Sequence, residues 1–309
     1  MADQIKVILW ACPRTVSSAF LKCMDKLPDS KMLFEMYSTA RFFGPERQIV
    51  SNNNMEMPPE PEVITEKTPE ELQKDPGSGF HSSICTYKWL KHHMETGYPD
   101  KKIIFAKEIS FCPDGKFEYL PDSGYRHAFL IRNPAKVFPS WKKLVVEMMN
   151  LMSVQSDNKT NISLDEVEFD QQPPEILPPG GSFKETYDLY SYVKEKGLDP
   201  DPVILDADDL VNDPATILSG FCKTLGIPYS DELLSWDAGV DVVKDWTVSQ
   251  TLNNIINDSD GFKNFRNGTC FMKPQVQSQE SKPEVTADLQ RLIDIALPYY
   301  TKMYDNRIQ

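Results

Sequence analysis

Ile5-Lys6-Val7-Ile8-Leu9-Trp10 is a near-continuous apolar run that leads through Ala11-Cys12-Pro13-Arg14-Thr15-Val16-Ser17-Ser18 into a helical pattern. Val16, Ala19, Phe20, Cys23, Met24 and Leu27 recur at i, i+3, i+4 and i+7, which predicts a helix over 16–27, stopped by Pro28. Further apolar runs predict strands over 31–34, 102–106, 127–131 and 203–205. The runs at 102–106 and 127–131 barely alternate, as strands buried on both faces of a parallel sheet do. Helical periodicity predicts helices over 82–95, 137–152, 183–196, 213–226, 231–235 and 284–305. Pro139 falls in the first turn of the 137–152 helix, and Pro298 predicts a kink in the last helix. Asp213 and Pro214 form a start signal and Gly226 a stop signal for the 213–226 helix.

Strands alternating with helices imply an α/β fold, and 309 residues suffice for one large domain with insertions. The segment 48–79 is rich in Pro, Glu and Asn and reads as a surface excursion with one short helix at 69–74. The segment 156–181, with Pro173-Pro174 and Pro178-Pro179, reads as a loop long enough to be a lid. The expected organisation is therefore one domain over 1–309 with surface insertions at about 47–80 and 153–182. There are no internal repeats.

A net charge of −13 and a pI near 4.9 argue against nucleic acid, polyanionic glycans or anionic membrane as partners. No apolar stretch reaches the roughly 18 residues of a membrane helix. The first strand starts at Ile5, leaving no room for a signal peptide, and the six cysteines lack CxxC spacing. A cytoplasmic setting with free thiols is expected, which makes the sequons Asn158-Lys159-Thr160 and Asn267-Gly268-Thr269 chance matches. Metal-ligand spacing is absent among the histidines: His92 and His93 are expected on an exposed helix and His127 beside a strand.

The first turn carries chemistry. A helix N-terminus offers unpaired N–H groups and partial positive charge, so it binds anions, phosphate above all. Arg14 adds a planar donor fork, and Ser17 and Ser18 add hydroxyls. The segment has no glycine and no GxxxxGK[ST], so it is not a Walker A loop. A second segment, Phe129-Leu130-Ile131-Arg132-Asn133-Pro134-Ala135-Lys136-Val137-Phe138-Pro139-Ser140, puts Arg132 at the carboxyl end of a buried strand, with Ser140 eight residues on. Ligands of open α/β sheets bind outside those strand ends, so Arg14 and Arg132 are expected to converge on a ligand with two anionic groups. The plainer alternative pairs Arg132 with a carboxylate and uses Ser140 as a cap.

Pro13-Arg14-Thr15-Val16-Ser17-Ser18 resembles the 5′-phosphosulfate loop of sulfotransferases, and Arg132 with Ser140 resembles their 3′-phosphate pair. Val203-Ile204-Leu205-Asp206-Ala207-Asp208-Asp209-Leu210, Asp213-Pro214 and Leu225-Gly226-Ile227-Pro228 resemble the family's "YEDL…dP…FLGlp" stretch. Trp236-Asp237-Ala238-Gly239 and Ala296-Leu297-Pro298-Tyr299-Tyr300 are similar to a subgroup often mislabelled as branched-chain aminotransferase-like. The resemblance implies a P-loop-like three-layer α/β/α fold with a central, mostly parallel sheet. It implies 3′-phosphoadenosine 5′-phosphosulfate (PAPS) as donor, 3′,5′-bisphosphate (PAP) as product, no metal, and a hydroxyl or amine of a small or medium molecule as acceptor. Arg14, Thr15, Ser17, Ser18, Arg132 and Ser140 are the implied donor-binding residues.

The chain departs from the family in three places. Arg14, as in tyrosylprotein sulfotransferases, stands where many cytosolic members have Lys; Ala207 replaces an adenine-contacting Tyr, with Trp246 or Trp141 as candidate substitutes; and the catalytic His of cytosolic members is missing from Ala106-Lys107-Glu108-Ile109-Ser110. A base is still needed, because the acceptor loses a proton as it attacks sulfur. Glu35, twenty-one residues after Arg14, matches the spacing of the catalytic Glu in tyrosylprotein sulfotransferases and is the first candidate; Glu108 is the second. Arg14 and Lys107 are the implied stabilisers of the leaving phosphate, and a bare Glu35–Lys107 pair is the plainer alternative. A P-loop nucleotide kinase and a non-catalytic nucleotide-binding protein are the competing functions. Acceptor-side walls are expected from 41–80, 153–182 and 236–272.

Overall fold

The computed structural model describes residues 4–47, 78–155, 161–271 and 285–309. Strands β1 (Ile5–Ala11), β2 (Ser30–Phe34), β3 (Ser78–Phe80), β4 (Ile103–Ile109), β5 (Tyr125–Ile131), β6 (Val203–Asp206) and β7 (Val248–Ser249) make two sheets. Five of them form the main sheet in the order β2-β4-β1-β5-β6, with every pairing parallel. β3 and β7 pair separately, also in parallel.

Side chains alternate along each central strand, and each face has its own core. Ile8 and Trp10 of β1, Ala106 of β4 and Phe129 of β5 belong to one cluster. Val7, Leu9 and Ala11, with Phe105 and Leu130, belong to the other. Helices α1 (Ser17–Asp25) and α7 (Pro214–Leu225) cover the second face; α3 (Tyr87–Thr96), α4 (Pro134–Gln155), α5 (Phe183–Glu195) and α10 (Ala287–Tyr304) cover the first. The result is the expected three-layer α/β/α arrangement around a parallel sheet. α2 (Met36–Phe42), α6 (Ala207–Asn212), α8 (Gln250–Asp258) and α9 (Lys263–Asn267) surround the carboxyl ends of the strands.

Several boundaries differ from expectation for identifiable reasons. α4 begins at Pro134, not 137, because the Asn133 carbonyl side chain accepts from the Ala135 N–H at 2.9 Å and Pro134 is tolerated at the first helical position. Pro139 is therefore inside the helix. The 82–95 pattern breaks into a 3₁₀ turn, Ser82–Ile84, and α3, which starts after Thr86 accepts from the Trp89 N–H. The 231–235 pattern is a 3₁₀ turn over Asp231–Leu234. The last helix runs Ala287–Tyr304, and residue 284 lies outside the described residues. So do the 69–74 helix, most of the 47–80 insertion and the 158–160 sequon.

The described part of the second insertion is fastened down. Asp288 accepts from the Phe169 N–H and pairs with Lys142 at 2.8 Å, both largely buried, and Arg291 pairs with Asp170 and Glu168. No described helix is long and apolar enough to cross a membrane.

The histidines correct an expectation. His93 is buried, stacked on Trp89 with ring centroids 4.9 Å apart, so its helix is not exposed there. His127 lies within β5, and its Nδ1 accepts from Trp10 Nε1 at 2.9 Å. Burial pushes the His127 pKa down to about 4 from 6.5. A depressed folded pKa means the unfolded chain binds the proton first, so this contribution to stability is complete above pH 6.5 and is lost as pH falls toward 4. The melting temperature is expected to drop between pH 7 and pH 5, and His127→Gln, which keeps an acceptor for Trp10, is expected to shrink that drop. Calorimetry at the two pH values checks it; an unchanged drop in the variant removes His127 as a cause.

Candidate active site

The carboxyl ends of β1, β2, β4 and β5 open into a cavity of about 810 Å³. Its lining includes Arg14, Thr15, Ser17, Ser18, Glu35, Lys107, Arg132 and Ser140. The candidate donor-binding and catalytic residues named from the sequence thus share one cleft.

Local backbone geometry delivers them. Arg14, Val16 and Glu35 have φ of 63°, 58° and 51°, the left-handed region that side chains, β-branched Val above all, rarely adopt. Such residues cost on the order of 1–3 kcal/mol each and persist where surroundings over-determine them. Val16 precedes α1, and Glu35 precedes α2, so each strained residue marks a strand-to-helix reversal. Buried Thr15 locks the first turn by donating to the Cys12 carbonyl at 2.8 Å. The Glu35 N–H donates to the Lys107 carbonyl at 2.8 Å, bonding the end of β2 to β4.

Three bonds fix the two arginines, one of them directly between the pair. Arg14 Nε donates to Ser140 Oγ at 2.9 Å, Arg14 Nη1 to the Gly261 carbonyl at 3.3 Å, and Arg132 Nη1 to the Arg14 carbonyl at 3.0 Å. Arg132 also pairs with Asp208, as the plainer reading expected. Ser140 does not cap its helix; it serves Arg14. Burial pulls the Arg14 pKa below its usual value; the Glu147 carboxylate opposes this and the Arg132 charge reinforces it.

Glu35 and Lys107 form a direct ion pair, with side-chain exposures of 12 % and 2 %. The plainer alternative is therefore part of the structure, and it leaves Glu35 lining the cavity. Glu108 has another task. It is fully buried, absent from the lining, and accepts from the Met36 and Tyr37 N–H groups at 2.8 and 2.9 Å, anchoring the start of α2. Burial pushes its pKa up to about 8.

The two tryptophans offered for the adenine separate. Trp141 lines the cavity; Trp246 is a core residue that donates to Asp25 at 2.8 Å and does not. Trp236 lines the cavity beside Phe271. Sequence reasoning also missed Glu147 and Gly261. Glu147 accepts from Ser259 Oγ at 2.7 Å and from the Gly261 N–H at 3.2 Å, holding the 259–261 segment over the turn. A Cβ at Gly261 would lie 2.3 Å from Leu144 Cδ1, so the Leu144 side chain would have to move to admit it. Glu147 lies seven residues after Ser140, two helical turns along one face, and that spacing was a usable signal. Arg266 donates to the Ile256 and Ser259 carbonyls, tying α9 to the same 259–261 segment. No described group of three or more His, Cys, Asp or Glu is arranged to hold a metal ion.

Comparison with known proteins gives these shapes a context. Residues 199–306 match the family model for a sulfotransferase domain. Branched-chain-amino-acid aminotransferase-like protein 1 of Arabidopsis thaliana is 24% identical over 265 residues, covering 85% of this chain and 37% of that protein. Sulfotransferase ppzF of Metarhizium majus is 30% identical over 115 residues, covering 35% of this chain and 29% of its own length. The chain thus spans about a third of the length of the curated relatives it matches. Among solved structures, mouse sulfotransferase SULT7A1 complexed with PAP aligns at 12% identity and a TM-score of 0.42, over 98% of this chain and 85% of that one. A sulfotransferase from Alicyclobacillus acidocaldarius aligns at 12% identity and a TM-score of 0.41, over 74% and 83%. The family match covers the "YEDL"-like stretch and the Ala296–Tyr300 ending, while Arg14 and Arg132 lie outside it. Residues 199–306 are therefore similar to a sulfotransferase domain, and the relatives over most of the chain's length carry aminotransferase-like names.

Proposed function

We propose that this chain transfers a sulfuryl group from PAPS to a hydroxyl or amine of a small or medium acceptor. The observation that carries the reading is the convergence of Arg14 and Arg132 on one cleft, linked through the Arg14 carbonyl. Two guanidinium groups on neighbouring strand ends suit a ligand with anionic groups at two ends.

In this reading the 13–18 turn, with Thr15, Ser17 and Ser18, holds the 5′-phosphosulfate, and Arg132 with Ser140 holds the 3′-phosphate. The acceptor oxygen or nitrogen attacks sulfur in line while its proton passes to the Glu35 carboxylate. The bond from sulfur to the 5′-phosphate oxygen breaks, and its electron pair stays on that oxygen. Arg14 and Lys107 meet the new charge there. The existing Glu35–Lys107 pair suits this exchange: as Glu35 gains a proton and ceases to be an anion, Lys107 gains a new anionic partner in the leaving phosphate. Cationic side chains in a preorganised, largely dry site are the usual source of such stabilisation. The cavity walls beyond Glu35, including Phe42, Phe111 and Trp141, suit the acceptor, and Trp236 suits the adenine in place of the missing Tyr.

Transfer of labelled sulfate from PAPS into a metabolite extract tests the activity. Arg14→Ala is expected to lower the rate about 10²–10³-fold, and Glu35→Gln about 10²–10⁴-fold. Full activity in the Glu35 variant removes it as base, and preferential binding of ATP over PAP removes the donor.

The ion pair makes a separate, thermodynamic prediction. Removing one member of a largely buried pair strands the other and costs about 3–5 kcal/mol. Lys107 is the more buried, so Glu35→Ala is expected to destabilise more than Lys107→Met, and the double variant less than the sum of the two. Urea unfolding of the four proteins checks this; additive losses rule out a coupled pair.

A further inference from the structure

Arg132 and Lys136 share one anion in this protein. Arg132 Nε donates to Asp208 Oδ1 at 3.3 Å and Lys136 Nζ to Asp208 Oδ2 at 3.0 Å, one cation on each carboxylate oxygen. The neighbouring carboxylates are otherwise engaged. Asp206 accepts from the Asp208 and Asp209 N–H groups and from Tyr300, and Asp209 pairs with Arg307. Asp208 is thus the carboxylate that both cations share. It sits in the first turn of α6, while the cations lie at the start of α4, so the contact spans the ends of β5 and β6. Arg132 borders the cavity, and all three side chains keep contact with solvent.

We propose that Arg132 and Lys136 are a two-pronged clamp for the 3′-phosphate, and that Asp208 is an internal stand-in for that phosphate which the nucleotide must displace. The inference rests on the donor assignment above. Two cations that already converge on opposite oxygens of one small anion are spaced to take another. A phosphate dianion brings more charge and a third oxygen, so it outcompetes a single carboxylate. A 3′-hydroxyl brings no charge and leaves Asp208 in place. Asp208 therefore sharpens the choice between nucleotides with and without a 3′-phosphate, a discrimination that works by a competing anion as well as by attraction. Lys136 becomes a binding residue that no motif singled out.

Calorimetric titration of PAP and of adenosine 5′-monophosphate into wild type, Lys136→Ala, Lys136→Arg and Asp208→Asn tests it. Loss of one charge-assisted hydrogen bond is worth about tenfold in affinity or more. Wild type is expected to favour PAP over the monophosphate. Lys136→Ala is expected to lose about tenfold for PAP only, with recovery in Lys136→Arg. Asp208→Asn is expected to bind PAP several-fold tighter, with the monophosphate unchanged. Equal losses for both nucleotides in Lys136→Ala, or weaker PAP binding in Asp208→Asn, overturn the clamp, the latter because Asp208 then only props Arg132. Wild type that binds the two nucleotides equally overturns the donor assignment itself, and the clamp with it.

Discussion

The bond from Arg132 to the Arg14 carbonyl is the constraint on which the cleft depends. β1 and β5 are neighbours in a parallel sheet, so the loops that leave them emerge on the same edge. Parallel pairing alone puts the two loops side by side and leaves their side chains free. The left-handed φ of Arg14 reverses the chain, and its carbonyl becomes the acceptor for the second guanidinium. The Arg14 side chain then runs to Ser140 and Gly261. One residue therefore links β1, β5, α4 and the 259–261 segment, and Glu147 closes the circuit by holding Gly261 from the other side. A conformation that costs free energy in isolation is held by four elements at once.

The parts legible in the sequence are those set by local periodicity or by strand-end topology. The buried strands were legible because both faces are apolar, and the shared cleft followed from the rule that ligands sit outside carboxyl strand ends. Arg14 and Arg132 were placed by that reasoning, while Glu35 also needed the spacing resemblance to tyrosylprotein sulfotransferases. The rest depends on contacts between distant segments. α2 is only seven residues long and starts because Glu108, seventy residues on, accepts its first N–H groups; nothing local announces it. The same carboxylate looked like a base in the sequence because a strand's alternation does not say which face a buried acid serves. α8 and α9 lie in the 236–272 stretch for which no helix was expected, and their short apolar patterns gain meaning only against the cavity they wall. Trp246 and Trp236 have the same residue type and opposite fates, decided by whether Asp25 or the cavity lies alongside.

The charge balance of the whole chain also looks different from inside the cleft. A net charge of −13 repels anions at long range. The lining carries three cations, Arg14, Lys107 and Arg132, against one carboxylate, Glu35. Those cations are largely buried, where Coulomb interactions are stronger than at the surface, while salt screens the outer acidic field within about 8 Å at physiological strength. In the proposed function, anion recognition is therefore a short-range property. It also explains why the cations are held so closely to carboxylates and carbonyls without a ligand: Lys107 on Glu35, Arg14 on Gly261, Arg132 on Asp208. Burial is the main cause of the depressed Arg14 pKa and the Arg132 charge adds to it, so each internal acceptor offsets part of the cost of holding these cations in low dielectric. In the proposed function, an entering anion must exchange with those acceptors one by one, so its affinity reflects the difference between two sets of partners, and selectivity lies in which of the exchanges a given ligand completes.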